Sequence, residues 1–202
     1  MTNDLPATAC RVLLVRHATA EGNGRFQGQR DVALTNGGRR ELRQLCEKCS
    51  RYPVRAVYSS DLLRARQTAE AVAWQFGLPV EPRSEFREMH FGQWEGLDWN
   101  QIARRYPRLA KLWIERFPRQ PIPGGEALAK FKRRIGAGLR DIAKSNLGNC
   151  VLIATHAGVI RFALGKALGL PERNLFRLAQ DPCALSVIDY LEDGAIVRCM
   201  NG

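Results

Sequence analysis

The sequence predicts a three-layer α/β/α fold, a mostly parallel sheet with helices on both faces and at least one antiparallel strand. Three observations predict it. Short, largely apolar segments read as strands: Cys10 to Val15, with the apolar run Val12 to Val15 after a polar start, Val54 to Tyr58, and Val151 to Ala154, the first and last as buried strands. Stretches with apolar residues at helical spacing alternate with them, as in parallel strands joined by helical crossovers. Near the end, Leu185 to Tyr190 and Ala195 to Met200 flank Asp193-Gly194, a hairpin signal that requires an antiparallel pair.

The elements follow in order. The first strand ends at Arg16-His17 and gives way to a glycine-rich polar loop, Thr19 to Asp31. A helical pattern starts at Gly38, with Leu42, Leu45, Cys46 and Cys49 on one face. After the second strand, Ser60 or Asp61 is placed to cap a helix whose apolar face is Leu62, Ala65, Ala69, Val72, Ala73 and Phe76. Gly77 and Pro79 end that helix. Residues 85–126 hold Trp94, Trp99 and Trp113, with Pro107, Pro118, Pro121 and Pro123 as breakers. They read as short helices and loops, with segment 91–125 folded over the rest of one domain that spans 1–202. A long helix carries Leu128, Phe131, Ile135, Leu139 and Ile142. The next strand ends at Thr155-His156-Ala157-Gly158, and a helix runs on to about Leu168, closed by Gly169 and Pro171.

With 202 residues, 45% of them apolar, the chain is long enough for one sizeable core. No apolar run reaches the roughly 18 residues that cross a membrane. The start, Met1 to Cys10, lacks a cationic segment followed by an apolar one, so no signal peptide and no membrane association are expected. Of the six cysteines only Cys46 and Cys49 form a C-x-x-C pair, and no second pair completes a zinc site. Core packing is the expectation for both thiols, and free thiols point to the cytoplasm. The net charge of +11 favours anionic partners, phosphorylated metabolites among them.

Three histidines exist, and two of them, His17 and His156, end strands on the edge where ligands bind in such sheets. A phosphoryl group in transfer needs fixed donors. Arg16 and Arg64 can supply guanidinium forks. The loop after His17 and the helix start after His156 can supply backbone N–H groups. Neutral imidazole is a competent nucleophile, and Glu88 can protonate a leaving alcohol if it is itself held protonated.

Four stretches then carry a resemblance. Leu14-Val15-Arg16-His17-Ala18-Thr19-Ala20-Glu21-Gly22-Asn23, the segment from Ser59-Ser60-Asp61 through Leu63-Arg64-Ala65 to Ala69, Arg87-Glu88-Met89-His90-Phe91-Gly92-Gln93-Trp94-Glu95-Gly96, and Thr155-His156-Ala157-Gly158 resemble the ordered motifs of the histidine phosphatase superfamily, also called phosphoglycerate-mutase-like. The resemblance implies that His17 attacks phosphorus and that Arg16, Arg64 and His156 hold the phosphate, with Asn23 assisting. It implies that Glu88 is the acid and later the base, and that neither cofactor nor metal is needed. Ala18 departs from the glycine commonest at its place without removing a functional group. Arg66 is expected to point away, Trp94 to pack, His90 to be structural, Glu95 to be the rival acid, and Asn23 has fixing its own loop as an alternative role.

The chain lacks the insertion after the glutamate motif that lengthens cofactor-dependent mutases, which favours hydrolysis. Pro121 to Glu126 with Phe131 to Arg134, and Cys183 to Asp189, resemble the α-ribazole phosphatases, which remove a 5′-phosphate from a benzimidazole riboside in cobalamin synthesis. The aromatic-rich segment would suit such a flat base. A broad phosphatase, a cofactor-dependent phosphoglycerate mutase, and a non-catalytic basic nucleic-acid-binding protein are the alternatives. The full catalytic set speaks against the last, so no nucleic-acid partner is expected. Oligomeric state is not legible.

Overall fold

Among the described residues, 5–116 and 121–202 of a computed structural model, one sheet gathers six strands. These are β1 (Cys10–Arg16), β2 (Val54–Ser59), β3 (Val80–Pro82), β4 (Cys150–Thr155), β5 (Leu185–Leu191) and β6 (Gly194–Cys199). Their spatial order is β3-β2-β4-β1-β5-β6. β3, β2, β4 and β1 run parallel, β5 is antiparallel to β1, and β6 is antiparallel to β5. The start of the chain, Met1–Asp4, and Pro118, expected as a breaker, lie outside the described residues.

Alternation along β1 divides the core into two layers. Val12 and Leu14 join Ile135, Leu139 and Ile160 on one face, while Leu13 and Val15 join Leu45, Ala69 and Val72 on the other. Helices α5 (Leu128–Ser145) and α6 (Ala157–Ala167) cover the first face, and α1 (Asn36–Cys49) and α2 (Leu63–Phe76) the second. Every residue of β4 is buried, as its uninterrupted apolar run requires. Each large aliphatic side chain so buried contributes roughly 1.5–3 kcal/mol. Between α2 and α5 lie α3 (Trp99–Arg105) and α4 (Pro107–Arg116). They enclose a third apolar cluster of Trp94, Ile102, Ala110, Trp113 and Ile122, with Phe26, Phe91 and Trp99 against it. The three-layer, mostly parallel architecture is the one expected.

Several local expectations need correction. Neither Ser60 nor Asp61 caps α2: its N-cap is Leu62, which makes no side-chain cap bond. The Leu63 N–H donates instead to Asp31 Oδ1, 2.6 Å away on a distant loop, and Asp61 forms a bidentate pair with Arg87. Helix α1 starts at Asn36, two residues before Gly38, because the Thr35 hydroxyl accepts from the Gly38 N–H. The short edge strand β3 and a 3₁₀ segment at Glu172–Arg177 carry no periodic signal and were not expected. Trp94 is buried in the third cluster, as anticipated for a packing residue. Cys46 and Cys49 both pack in the second core layer, and all six thiols are free.

Register builds the site. β1 pairs Arg16 with Thr155 of β4, and β2 pairs Ser59 with Ala154. The next residue of each chain segment, His17, His156 and Ser60, therefore leaves the sheet beside the others. The His17 N–H still donates to Thr155 O and the Ser60 N–H to Ala154 O, which carries the alignment one residue past the strands.

Candidate active site

His17 stands at the end of β1 with Nδ1 2.8 Å from its neighbour's carbonyl, Ala18 O. A carbonyl only accepts, so Nδ1 carries the proton and Nε2 presents its lone pair. The Arg64 Nε–H donates to that nitrogen at 3.2 Å. Desolvation, first, and the nearby Arg64 charge push the His17 pKa down to about 3, against the Ala18 bond and with a smaller push from Arg16. The ring is therefore neutral at neutral pH and retains a nucleophilic nitrogen. His156 lies beside it, ring centroids 5.2 Å apart at 61°, and burial with the Arg64 charge holds its pKa well below the ordinary imidazole value.

Two guanidinium groups flank the pair. Arg64 is 1% exposed. It donates through Nη1 to Arg30 O (2.7 Å) and through Nη2 to Gly28 O (2.8 Å), so three of its five N–H groups are engaged and two remain. Arg16 donates through Nη1 to Gln180 O, and its buried Nε has no partner among the described residues. A buried donor of this kind is suited to an anionic oxygen. Arg66 faces outward in an exposed pair with Glu70, as expected.

Glu88 reaches the same place from the loop after β3. Its Oε1 accepts from its neighbour's N–H, Met89, at 2.9 Å, and its Oε2 from Gly158 at 3.0 Å, the second residue of α6. One N–H of the helix start, that of Gly158, thus holds Glu88. A Cβ at Gly158 would collide with the Glu88 carboxylate, so the close approach requires glycine. Glu95, the rival acid, is occupied: its Oε1 accepts from the N–H groups of Gln29 and Phe91, tying the loop that holds Arg64 to the aromatic segment. His90 Nδ1 accepts from Gly92 N, a local structural bond.

These groups line a cleft of about 320 Å³ whose wall includes Arg16, His17, Arg64 and Glu88, with exposed Asn23 and Arg25 on the loop after β1. His156 lies buried behind His17. Five of the six expected residues therefore converge, and Asn23 lines the cleft from its exposed loop without a hydrogen bond to any of them among the described residues. Sequence reasoning missed Arg161 and Phe176 in the same wall. The Arg161 Nε–H donates to Leu178 O, and its guanidinium lies 5.3 Å from the Phe176 ring centroid. Arg161 follows His156 by five residues, a spacing that does not place the two on one helix face, so no sequence signal marked it. A smaller apolar pocket adjoins the cleft, lined by Met89, Phe91, Trp113, Phe131, Leu175 and Phe176. Among the described residues no three His, Cys, Asp or Glu side chains gather as a metal site, and no helix is long and apolar enough to cross a membrane.

Known proteins resemble this chain over most of its length. The model of the histidine phosphatase superfamily (branch 1) matches residues 12–202. Phosphoserine phosphatase 1 of Hydrogenobacter thermophilus is 28% identical over 193 residues, covering 95% of this chain and 92% of that protein. Phosphoglycerate mutase-like protein 4 of Arabidopsis thaliana is 34% identical over 155 residues, covering 74% of this chain and 67% of that protein. The α-ribazole phosphatase from Shigella flexneri superposes with a TM-score of 0.85 at 25% identity, covering 95% of this chain and 96% of that one. The chain thus belongs to the histidine phosphatase superfamily, branch 1, and is an enzyme acting on phosphate esters.

Proposed function

We propose that this enzyme hydrolyses phosphomonoesters through a phosphohistidine on His17 without a metal ion, and that its substrate is α-ribazole 5′-phosphate. The observation that carries the chemistry is a neutral His17 whose Nε2 lone pair faces Arg64 in a cleft with a second, partly unpartnered guanidinium, Arg16. Nε2 attacks phosphorus, the P–O ester bond breaks, and its electron pair leaves with the alcohol oxygen, which takes a proton from protonated Glu88. The Nε2 lone pair is then in the P–N bond, so the Arg64 Nε–H passes to a phosphoryl oxygen, beside donors from Arg16, His156 and Asn23. In the second half, Glu88 takes a proton from water, the water oxygen attacks phosphorus, and the P–N pair returns to His17.

The substrate reading rests on three supports. The apolar pocket beside the cleft offers aromatic walls to a flat base. The sequence stretches that resemble α-ribazole phosphatases act on the site. Arg134, paired with Glu126 at 2.8 Å, donates to the carbonyls of Glu85, Arg87 and Glu88, while Ala184 O accepts from the Arg16 N–H. The likeness to the Shigella enzyme is the third. On this reading the described residues of segment 91–125 fold over the active site within one domain, and the six free thiols suit the cytoplasm. The test is a phosphate-release screen over α-ribazole phosphate, 3-phosphoglycerate, phosphoserine and p-nitrophenyl phosphate, with and without EDTA. Highest kcat/KM for α-ribazole phosphate, unchanged by EDTA, is expected. A preference for 3-phosphoglycerate with isomerisation in place of release would establish a mutase, and loss on chelation restored by magnesium or zinc would reject the metal-free mechanism.

A further inference from the structure

His156 Nε2 lies 2.8 Å from Ser60 Oγ, and both residues are buried. The Ser60 oxygen is also 3.3 Å from the Leu62 N–H, which can only donate. His156 Nδ1 is buried and has no partner among the described residues. Two proton placements are open to this neutral ring. If Nε2–H donates to Ser60, the serine hydroxyl hydrogen has no acceptor among the described residues, and Nδ1 is a buried lone pair with no donor. If the Ser60 O–H donates to Nε2, the serine oxygen is satisfied by Leu62, its hydrogen by His156, and Nδ1–H is left as a donor.

We propose that Ser60 is a positioning residue that fixes His156 as the Nδ1–H tautomer, so that Nδ1–H donates to a phosphoryl oxygen at His17. The unpartnered Nδ1 is then a donor whose acceptor arrives with the substrate. The Ser60 hydroxyl acts through His156, as outer partners of catalytic imidazoles do when they set the tautomer. The same register that aligns His17 and His156 supplies Ser60, because the Ser60 N–H donates to Ala154 O at the end of the neighbouring strand. This device accounts for a buried serine that the expected motif roles left as a failed helix cap. The inference rests on the phosphate-transfer reading, yet its first test needs no turnover.

Nitrogen-15 NMR of the histidine rings in the substrate-free enzyme, assigned with His17→Ala and His90→Asn variants, reads the tautomer directly. The expected result is a proton on His156 Nδ1 and none on Nε2. A proton on Nε2 overturns the proposal, whatever the enzyme's activity. In Ser60→Ala the tautomer should become mixed and kcat should fall about ten- to a hundredfold on every ester, p-nitrophenyl phosphate included. Ser60→Thr, which restores a hydroxyl, should recover both. An unchanged tautomer and kcat in Ser60→Ala would also overturn it. If Ser60→Ala fails to fold, the wild-type spectrum and Ser60→Thr still decide.

Discussion

The carboxyl edge of the sheet and the outer wall of the cleft, a roof of Arg161 and Phe176, meet at one cleft but are built differently. At the edge, His17, His156 and Ser60 are each one residue past a strand, and backbone bonds to the adjacent strand continue through two of them. Their neighbour Arg64 is 1% exposed and tied to two loop carbonyls. In the roof, Phe176 is 52% exposed, and Arg161 holds one carbonyl while leaning on that ring. The difference teaches that phosphate chemistry is placed by strand register, which admits no slack. On the proposed reading the leaving group is met by Arg161 and Phe176, farther from the strand ends, where substitution changes shape without moving the reacting atoms.

If that division holds, edge variants should slow every ester and roof variants should reorder the esters. Glu88 belongs to the edge by position but senses the leaving group by chemistry. Glu88→Gln should reduce kcat by about 10²- to 10⁴-fold for poor alcohol leaving groups and much less for p-nitrophenyl phosphate. Equal losses on both would remove Glu88 from the acid role. Arg64→Ala should lower kcat by about 10²- to 10³-fold on all esters alike, as loss of one preorganised donor does. A loss confined to one substrate class would place Arg64 with the roof instead. Gly158→Ala displaces the Glu88 carboxylate, so it should give about a tenfold loss with the same leaving-group bias as Glu88→Gln. Phe176→Ala should change the ratio of kcat/KM between aromatic and aliphatic esters by about tenfold; an unchanged ratio would break the assignment of Phe176 to the leaving group.

A final contrast concerns protons. Folded His17 and His156 have pKa values depressed below the ordinary 6.5, whereas the unfolded chain titrates near it. The unfolded state therefore binds more protons, and stability should fall as pH drops below about 6.5 and continue falling toward about 3. Thermal midpoints between pH 7 and pH 4 check this, and His156→Gln should flatten the slope. A midpoint rising toward acid in the wild type, with no change of slope in the variant, would contradict the buried neutral pair.

Much of the edge was legible in sequence because it depends on local pattern. Apolar runs mark where β1, β2 and β4 stop, and Arg16-His17 and Thr155-His156 follow them. The five converging residues lay in motifs of fixed order. What was not legible depends on pairs distant along the chain. The Asp31 cap of α2 comes from 32 residues away, and Ser60 meets His156 across 96. Glu95 looks like an acid in sequence and becomes a latch only when Gln29, 66 residues earlier, folds against it. β3 is three residues long on a sheet edge, too short for a period to show. The 3₁₀ segment that carries Phe176 likewise has no repeat to read.

The most direct test of the central claim is to trap the intermediate. The enzyme, mixed with ester labelled at phosphorus and quenched within milliseconds without acid, should carry one label on His17, stable to base and released by acid. His17→Ala, which truncates a side chain at a strand end, should keep its fold, take no label and lose turnover by at least about 10⁴-fold, as removal of a catalytic nucleophile does. Label on another residue, or full turnover in His17→Ala, would contradict the account.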